Sequence, residues 1–117
     1  MKTAVLKKDG RNLISSVELA VRLRERLVGL LGRTSLGRDR AMYLSPCDCI
    51  HTFFMKFDLD LIFLSRSLHV VSVAQCVRPS RIVWGGRGAL SVVEMETGWF
   101  DLGALHPGDE IQICDLS

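Results

Sequence analysis

The sequence lacks any continuous apolar segment of the ~18 residues that a membrane-spanning helix requires. It also lacks an apolar run of signal-peptide length near its start, because charge returns at Lys7 and Lys8. These two absences predict a soluble protein without a membrane span, located in the cytoplasm. A leader removed before maturation would leave room for an exported form.

No charge of one sign dominates the chain. Fifteen Lys and Arg residues stand against 13 Asp and Glu residues, for a formal net charge of +2. This excess is too small to indicate a polyanionic partner. The arginines between residues 22 and 40 have no aromatic residues among them to stack on bases, so we assign them to a solvated helix face. We therefore expect no nucleic-acid partner.

Cysteine is sparse: the chain has Cys47, Cys49, Cys76 and Cys114. An even number permits disulfides, but without a leader the reduced state is favoured. A bond between Cys47 and Cys49 would close a very small, strained ring. We expect free thiols.

Hydrophobic residues make up 48% of the chain and charged residues 24%, which is typical of a globular protein and indicates one domain over residues 1–117. Ser15 and Glu18 have the spacing of a capping box, and apolar residues follow at helical spacing. These features predict one long amphipathic helix over residues 16–32. Strands are predicted at 2–7, 11–14, 41–45, 50–57, 59–65, 68–75, 89–96 and 110–115.

The order of these elements shows no βαβ alternation, which argues against a parallel α/β fold. Many short strands with turn signals favour a mainly β domain, α+β by content. We predict a compact antiparallel β-barrel or sandwich with one N-terminal amphipathic helix. The stretch 78–88, rich in glycine and arginine, is predicted to be a long irregular loop.

One segment concentrates residues that could carry chemistry. If residues 47–57 are extended, Cys47, Cys49 and His51 share the face that points to the core. Two thiols and an imidazole are ligands that soft metals prefer, so these residues form a candidate Zn²⁺ or Cu⁺ site. The competing interpretation is that the cysteines are small buried hydrophobes and the histidine is a core residue. A third is a Cys49 nucleophile activated by His51.

Four further polar side chains are candidate ligand contacts or structural partners. Asp60 lies in a strongly apolar run and needs a partner if it is buried, with Lys56 or a helix arginine as candidates. Glu94 follows two valines in another predicted strand. Arg26 borders the apolar stripe of the predicted helix, so we predict that it docks the helix onto the sheet through Asp60 or Glu94.

The loop at 78–88 supplies the last candidates. Trp84 stands there with Arg81 and Arg87, in a setting where burial is hard to arrange. These residues are interpreted as an exposed ligand contact, with a lid over the end of the fold as the alternative.

Several ordered blocks of the sequence resemble one known family. The blocks are RLRERLVGLLGR, CIHTFFMKFDLDLIFL, VVEMETGW and HPGDEI. Together they resemble the prokaryotic domain of unknown function 192, from about residue 15 to residue 113. The matching positions are Arg26, Gly29, Leu30, Leu31, Gly32, Arg33, Met55, Lys56, Leu59, Asp60, Phe63, Glu94, Gly98, Gly108 and Asp109. Val93 stands where the family usually has leucine.

The resemblance implies a compact β-rich fold and no established activity, and many members of the family are exported. Our leading hypothesis is a small non-enzymatic β-domain that binds a small-molecule ligand or a protein partner. The candidate binding residues are Arg26, His51, Lys56, Asp60, Arg81, Trp84 and Glu94. The first alternative is a Zn or Cu binding protein through Cys47, Cys49 and His51. The second is a cysteine-dependent hydrolase or transferase.

Overall fold

The structure is a computed structural model that describes the backbone of residues 2–20 and 33–115. Strands dominate these ranges. They are β1 (Lys2–Lys8), β2 (Arg11–Ala20), β3 (Arg40–Leu44), β4 (Cys49–His51), β5 (Leu59–Leu64), β6 (Val70–Val77), β7 (Ile82–Trp84), β8 (Ser91–Glu96) and β9 (Gln112–Asp115). One 3₁₀ turn covers Leu102–Ala104. The predicted mainly β character is therefore confirmed.

Seven strands form one sheet in the order β6-β5-β8-β3-β2-β1-β9. All neighbours are antiparallel except β2 and β3, which run parallel with Val17 opposite Ala41. The sheet is open, so the prediction of a closed barrel is wrong. Its two edge strands, β6 and β9, approach each other near their first residues, where Val70 N–H donates to the Asp109 carbonyl and Ile111 N–H donates to the Leu68 carbonyl, both at 2.8 Å.

The predicted N-terminal helix is wrong over residues 16–20, which belong to β2, while residues 21–32 lie outside the described residues. No α-helix occurs in the described ranges. The register between β1 and β2 explains the error: Ala4 pairs with Val17 and Leu6 with Ile14, so β2 carries one extra residue between these pairs. Such a bulge shifts the two-residue period by one. Ile14 and Val17 are consequently three apart in the first core, and Ala20, buried on the opposite face in the second core, continues a spacing that mimics a helix.

The large sheet separates two apolar clusters. Along β5 every side chain is buried, as expected for a strand covered on both faces. Ile62 and Leu64 belong to the first core, with Ile14 and Met95. Leu59, Leu61 and Phe63 belong to the second core, with Met42, Leu44, Ile50 and Met55.

The second core is covered by a small sheet formed by β4 and β7. β4 ends at His51, so the strand predicted over 50–57 is much shorter than expected. β7 lies within the stretch that was predicted to be an irregular loop. In the described part of the chain no helix is long and apolar enough to cross a membrane.

Candidate functional site

The outer surface of the small sheet carries exposed apolar side chains. Cys49 pairs with Trp84 and His51 pairs with Ile82, so these four side chains share one face of the sheet. Ile50, 2% exposed, points the other way into the second core with its partner Val83. Ile82 and Trp84 are 69% and 65% exposed. We call the outer set Cys49, His51, Ile82 and Trp84 the β4–β7 face.

Two phenylalanines extend this apolar surface beyond the end of β4. The ring of Phe53 stacks on the His51 imidazole, with centroids 5.3 Å apart and planes 25° from parallel. Phe54 follows in the turn and is 81% exposed. Its φ of 68° lies in the left-handed region, which is uncommon for a bulky residue. Exposed large apolar residues that are clustered in this way mark interaction sites.

Thr52 fastens the turn after β4 to the segment that leads into β7. Its fully buried hydroxyl donates to the Arg78 carbonyl at 2.7 Å and accepts from the Arg81 backbone N–H at 2.9 Å. The Thr52 backbone N–H donates to the Arg81 carbonyl, and the Thr52 carbonyl accepts from the Ser80 N–H. A single residue therefore holds the turn and the arginine-bearing segment together.

Gly85 fixes the other end of β7 against the second core. A Cβ atom at this position would overlap the Phe63 ring and approach the Ala89 Cβ at 2.8 Å. The Gly85 N–H donates to the Asp48 carbonyl at 2.8 Å, and its own carbonyl accepts from the Ser72 hydroxyl. Only glycine allows the backbone to pass so close to Phe63.

Exposed cationic residues flank β7 and the turn after β4 in the chain. Arg78, Arg81 and Arg87 are all exposed, and no acidic residue occurs between residues 78 and 93. Lys56, which was predicted as a ligand contact, is exposed after the turn that holds the phenylalanines. Asp48, at the start of β4, is an exposed acidic residue nearby in the chain. The structure therefore joins an apolar surface to a predominantly cationic border.

The predicted soft-metal ligands are not assembled as a ligand cluster. The Cys47 thiol donates to the Cys49 carbonyl at 3.1 Å, and Cys49 is exposed rather than directed to the core. No group of three or more His, Cys, Asp or Glu side chains suited to a metal ion occurs within residues 2–20 and 33–115. The inward direction predicted for Cys49 and His51 is wrong because Ile50 takes the core position between them, whereas Cys47 is half-buried and packs against the second core. The four cysteines, all within the described residues, form no disulfide with one another.

Asp60 and Glu94 lie within the large sheet, away from the β4–β7 face. Asp60 is 1% exposed, and its Oδ1 accepts from the Cys76 backbone N–H at 2.9 Å and from the Thr97 hydroxyl. Neither of these donors belongs to Lys56, and the helix arginines that were the other expected partners lie outside the described residues or are not among these donors. Glu94 is fully buried. Asp60 pairs with Met95 and Glu94 pairs with Leu61, so the two carboxylates occupy opposite faces of the sheet.

The candidate residues thus divide into separate places. His51, Arg81 and Trp84 come together around the small sheet, whereas Asp60 and Glu94 are parts of the interior. Arg26 lies outside the described residues. Thr52, Phe53, Phe54 and Ile82 were missed by sequence reasoning. The run Ile82-Val83-Trp84 did carry a strand signal in its β-branched and aromatic residues, but its glycine-rich surroundings hid it.

A surface cavity of about 530 Å³ lies elsewhere, beside the β1–β2 turn and the 3₁₀ turn. Its lining includes Lys8 and Arg11 but also Asp9 and Asp101. Lys8 is already paired with Asp109, with Nζ and Oδ2 3.0 Å apart. The basic and acidic residues that line this cavity are equal in number, and none of the predicted ligand-binding residues is among its lining residues.

The sequence profile of domain of unknown function 192, a family described as "Uncharacterized ACR", matches residues 4–113. None of the curated proteins matches the chain.

Two crystal structures resemble the fold. One is a protein of unknown function from Novosphingobium aromaticivorans, 23% identical, with a TM-score of 0.74, covering 94% of this chain and 83% of that one. The other is described as a proposed transcription regulator from Sinorhizobium meliloti, 21% identical, with a TM-score of 0.75, covering 96% of this chain and 92% of that one. At these identities the likeness shows the fold alone.

Proposed function

The chain belongs to the family of domain of unknown function 192, and we propose that it is a non-enzymatic domain that binds a protein partner through the β4–β7 face. The observation that carries this proposal is the exposure of Ile82 and Trp84 on a small sheet whose other side is anchored in the second core. Exposed apolar side chains on a rigid support can bind without a large ordering cost.

The composition of the surface fits protein recognition. The centres of protein interfaces are enriched in aromatic residues and arginine and depleted in Lys, Glu and Asp. Trp84 and Phe53 supply aromatic anchors, and Arg81 and Arg87 supply the cationic border. Tryptophan and arginine are also the residue types that most often dominate binding energy.

Site-specific photo-crosslinking in the producing cells tests this function. A benzophenone amino acid at position 82 should form a discrete adduct with a partner. The adduct should disappear when Trp84→Asp is added to the same protein. The same probe at Gln112, an exposed position on β9, is the matched control. Equal adduct yields from positions 82 and 112 would contradict the proposal. An adduct from position 82 whose yield does not change with Trp84→Asp would also contradict it.

A further inference from the structure

The outer edge of β7 presents backbone hydrogen-bonding groups that the small sheet does not use. Thr52 N–H donates to the Arg81 carbonyl at one end, and Gly85 N–H donates to the Asp48 carbonyl at the other. In an antiparallel pair, hydrogen-bonded and non-hydrogen-bonded residue pairs alternate. The groups of Ile82 and Trp84 therefore point away from β4.

This edge is not covered by another strand in the described part of the chain. The small sheet contains β4 and β7 alone. The side chains of Ile82 and Trp84 are also largely exposed. The outward backbone groups and the exposed apolar side chains therefore belong to the same two residues. An unpaired strand edge is a template for adding a further strand.

The charges next to this edge indicate what kind of strand would fit. Arg81 immediately precedes β7 and Arg87 follows it by three residues, and both are exposed. Arg78 lies further upstream, and residues 78–93 contain no acidic side chain. A polypeptide with acidic residues on both sides of a short apolar stretch would pair with the edge and with the arginines together.

We infer that the partner contributes an extended acidic segment, which adds as a strand to the outer edge of β7. The inference rests on the proposed function and specifies its partner. Backbone hydrogen bonds to Ile82 and Trp84 supply affinity, as in other complexes formed by strand addition. Apolar side chains of the segment pack beside Trp84, and its carboxylates meet Arg81 and Arg87.

A second copy of this chain is a poorer occupant. Antiparallel pairing of two β7 edges about a two-fold axis near Val83 would bring the arginines of both copies to one interface. Arg87 of one copy would then lie within about one residue of Arg78 of the other, and like charges that are close across paired strands are destabilising. An acidic segment removes this repulsion and replaces it with attraction.

Selection from a displayed library of random peptides, each of about ten residues, tests the inference. The full chain serves as bait, and Ile82→Pro serves as the counter-bait. Proline removes only the outward N–H at an edge position, where it is tolerated. Selected peptides should contain Asp or Glu on both sides of alternating apolar residues. Synthetic versions should bind the Ile82→Pro protein about tenfold more weakly.

Two further measurements keep the test independent of that variant. N-methylation of every second amide in a selected peptide blocks either the N–H groups that face β7 or those that face away from it. Methylation of the first set should abolish binding to the unmodified protein, and methylation of the second set should not. Arg81→Gln should weaken binding and reduce its dependence on salt, whereas Arg11→Gln, at a position remote in sequence on β2, should change neither.

Several results would overturn the inference. These are selected peptides without acidic enrichment, equal binding to Ile82→Pro, and indifference to amide methylation in both registers. A dimer in solution that Ile82→Pro dissociates would replace the acidic segment with a second copy. If crosslinking from position 82 still depends on Trp84, the proposed function stands while this inference fails. If that crosslinking also fails, both are wrong.

Discussion

Asp60 shows how a single buried carboxylate can hold three strands in place. It lies on β5, its Oδ1 accepts from the backbone of Cys76 on β6, and it also accepts from Thr97, which follows β8. Removing the acceptor leaves two part-buried donors without this partner, which costs more than the bonds themselves contribute.

We therefore expect Asp60→Ala to lower the free energy of unfolding by about 2–5 kcal/mol. Chemical denaturation followed by circular dichroism measures the change. Asp48→Ala, which removes an exposed carboxylate, should change stability by less than about 0.5 kcal/mol. Equal effects of the two substitutions would show that the bonds of Asp60 contribute nothing specific.

Asp109 gives the fold a dependence on pH. Its pKa is lowered from 3.8, chiefly because the His106 backbone N–H donates to the carboxylate and further because Lys8 lies beside it. A carboxyl whose pKa is lowered in the folded state stabilises the fold above its unfolded pKa. That contribution is lost as the pH falls through the folded pKa.

Asp109→Asn should therefore lower the denaturation midpoint at neutral pH. The difference from the unsubstituted chain should shrink as the pH falls below 3.8. Lys8→Met should reproduce part of the neutral-pH loss, because it removes one of the groups that favour the charged form. A difference that stays constant across the titration would contradict this assignment.

The thiols make the soft-metal alternative directly testable. A metal site formed by Cys47, Cys49 and His51 would retain about one equivalent of zinc or copper, which Cys49→Ser would abolish. Because the Cys47 thiol is directed at the Cys49 carbonyl and the three side chains form no ligand cluster, we expect no stoichiometric metal. Native mass spectrometry of protein purified without chelator measures this. One retained equivalent that is lost in Cys49→Ser would establish the metal alternative.

At the scale of elements, Thr52 determines whether β4 and β7 act as one rigid support. Its hydroxyl is fully buried between the Arg78 carbonyl and the Arg81 N–H. Thr52→Val preserves the shape of the side chain but removes its hydroxyl. The Arg78 carbonyl and the Arg81 N–H then each lose a hydrogen-bond partner. We expect a loss of about 1–3 kcal/mol in the free energy of unfolding.

We expect Thr52→Val to destabilise the small sheet locally before it destabilises the whole fold. Amide hydrogen exchange should accelerate at Ser80 and Arg81, whose N–H groups donate to Thr52, more than in β5. Thr34→Val, at an exposed threonine, is the matched control. Uniform acceleration throughout the chain would indicate that the small sheet does not open separately.

Strand periodicity predicted elements well where the register is regular. The predicted strands at 41–45, 59–65 and 89–96 correspond to β3, β5 and β8 within two residues at each end. The prediction failed at β2, where Ser15 and Glu18 matched a capping box and the extra residue opposite β1 places Ile14 and Val17 three apart, which breaks the two-residue period. A bulge is a property of two paired strands, so the sequence of one strand does not reveal it.

The candidate site was only partly predictable for a similar reason. Trp84 and Arg81 were predicted to be exposed, and both are. The structure pairs Trp84 with Cys49 and places Arg81 directly before Ile82, the partner of His51. The pairing of β4 with β7 joins segments about 30 residues apart in the chain, and no local signal encodes that pairing. Ile82 acquires its exposed position only through this pairing.

At the scale of the whole molecule, the large sheet places Asp60 and Glu94 on opposite faces, which the sequence did not predict. Asp60 faces the side of the first core, and its Oδ1 is bonded to Cys76 and Thr97. Glu94 faces the side of the second core, among Met42 and Leu61, and is fully buried. One arginine cannot serve both carboxylates from one side of a sheet.

This separation sharpens the prediction for Arg26, which lies outside the described residues. A carboxylate buried as deeply as Glu94 requires a cation or several donors to offset its desolvation. The Oδ1 atom of Asp60 already accepts from Cys76 and Thr97. We therefore expect a double-mutant cycle between Arg26→Ala and Glu94→Gln to give a coupling above about 1 kcal/mol, and the cycle with Asp60→Asn to give less than about 0.5 kcal/mol. Coupling to Asp60 alone would assign Arg26 to the carboxylate on the other face of the sheet, and coupling to neither residue would show that Arg26 docks through neither carboxylate.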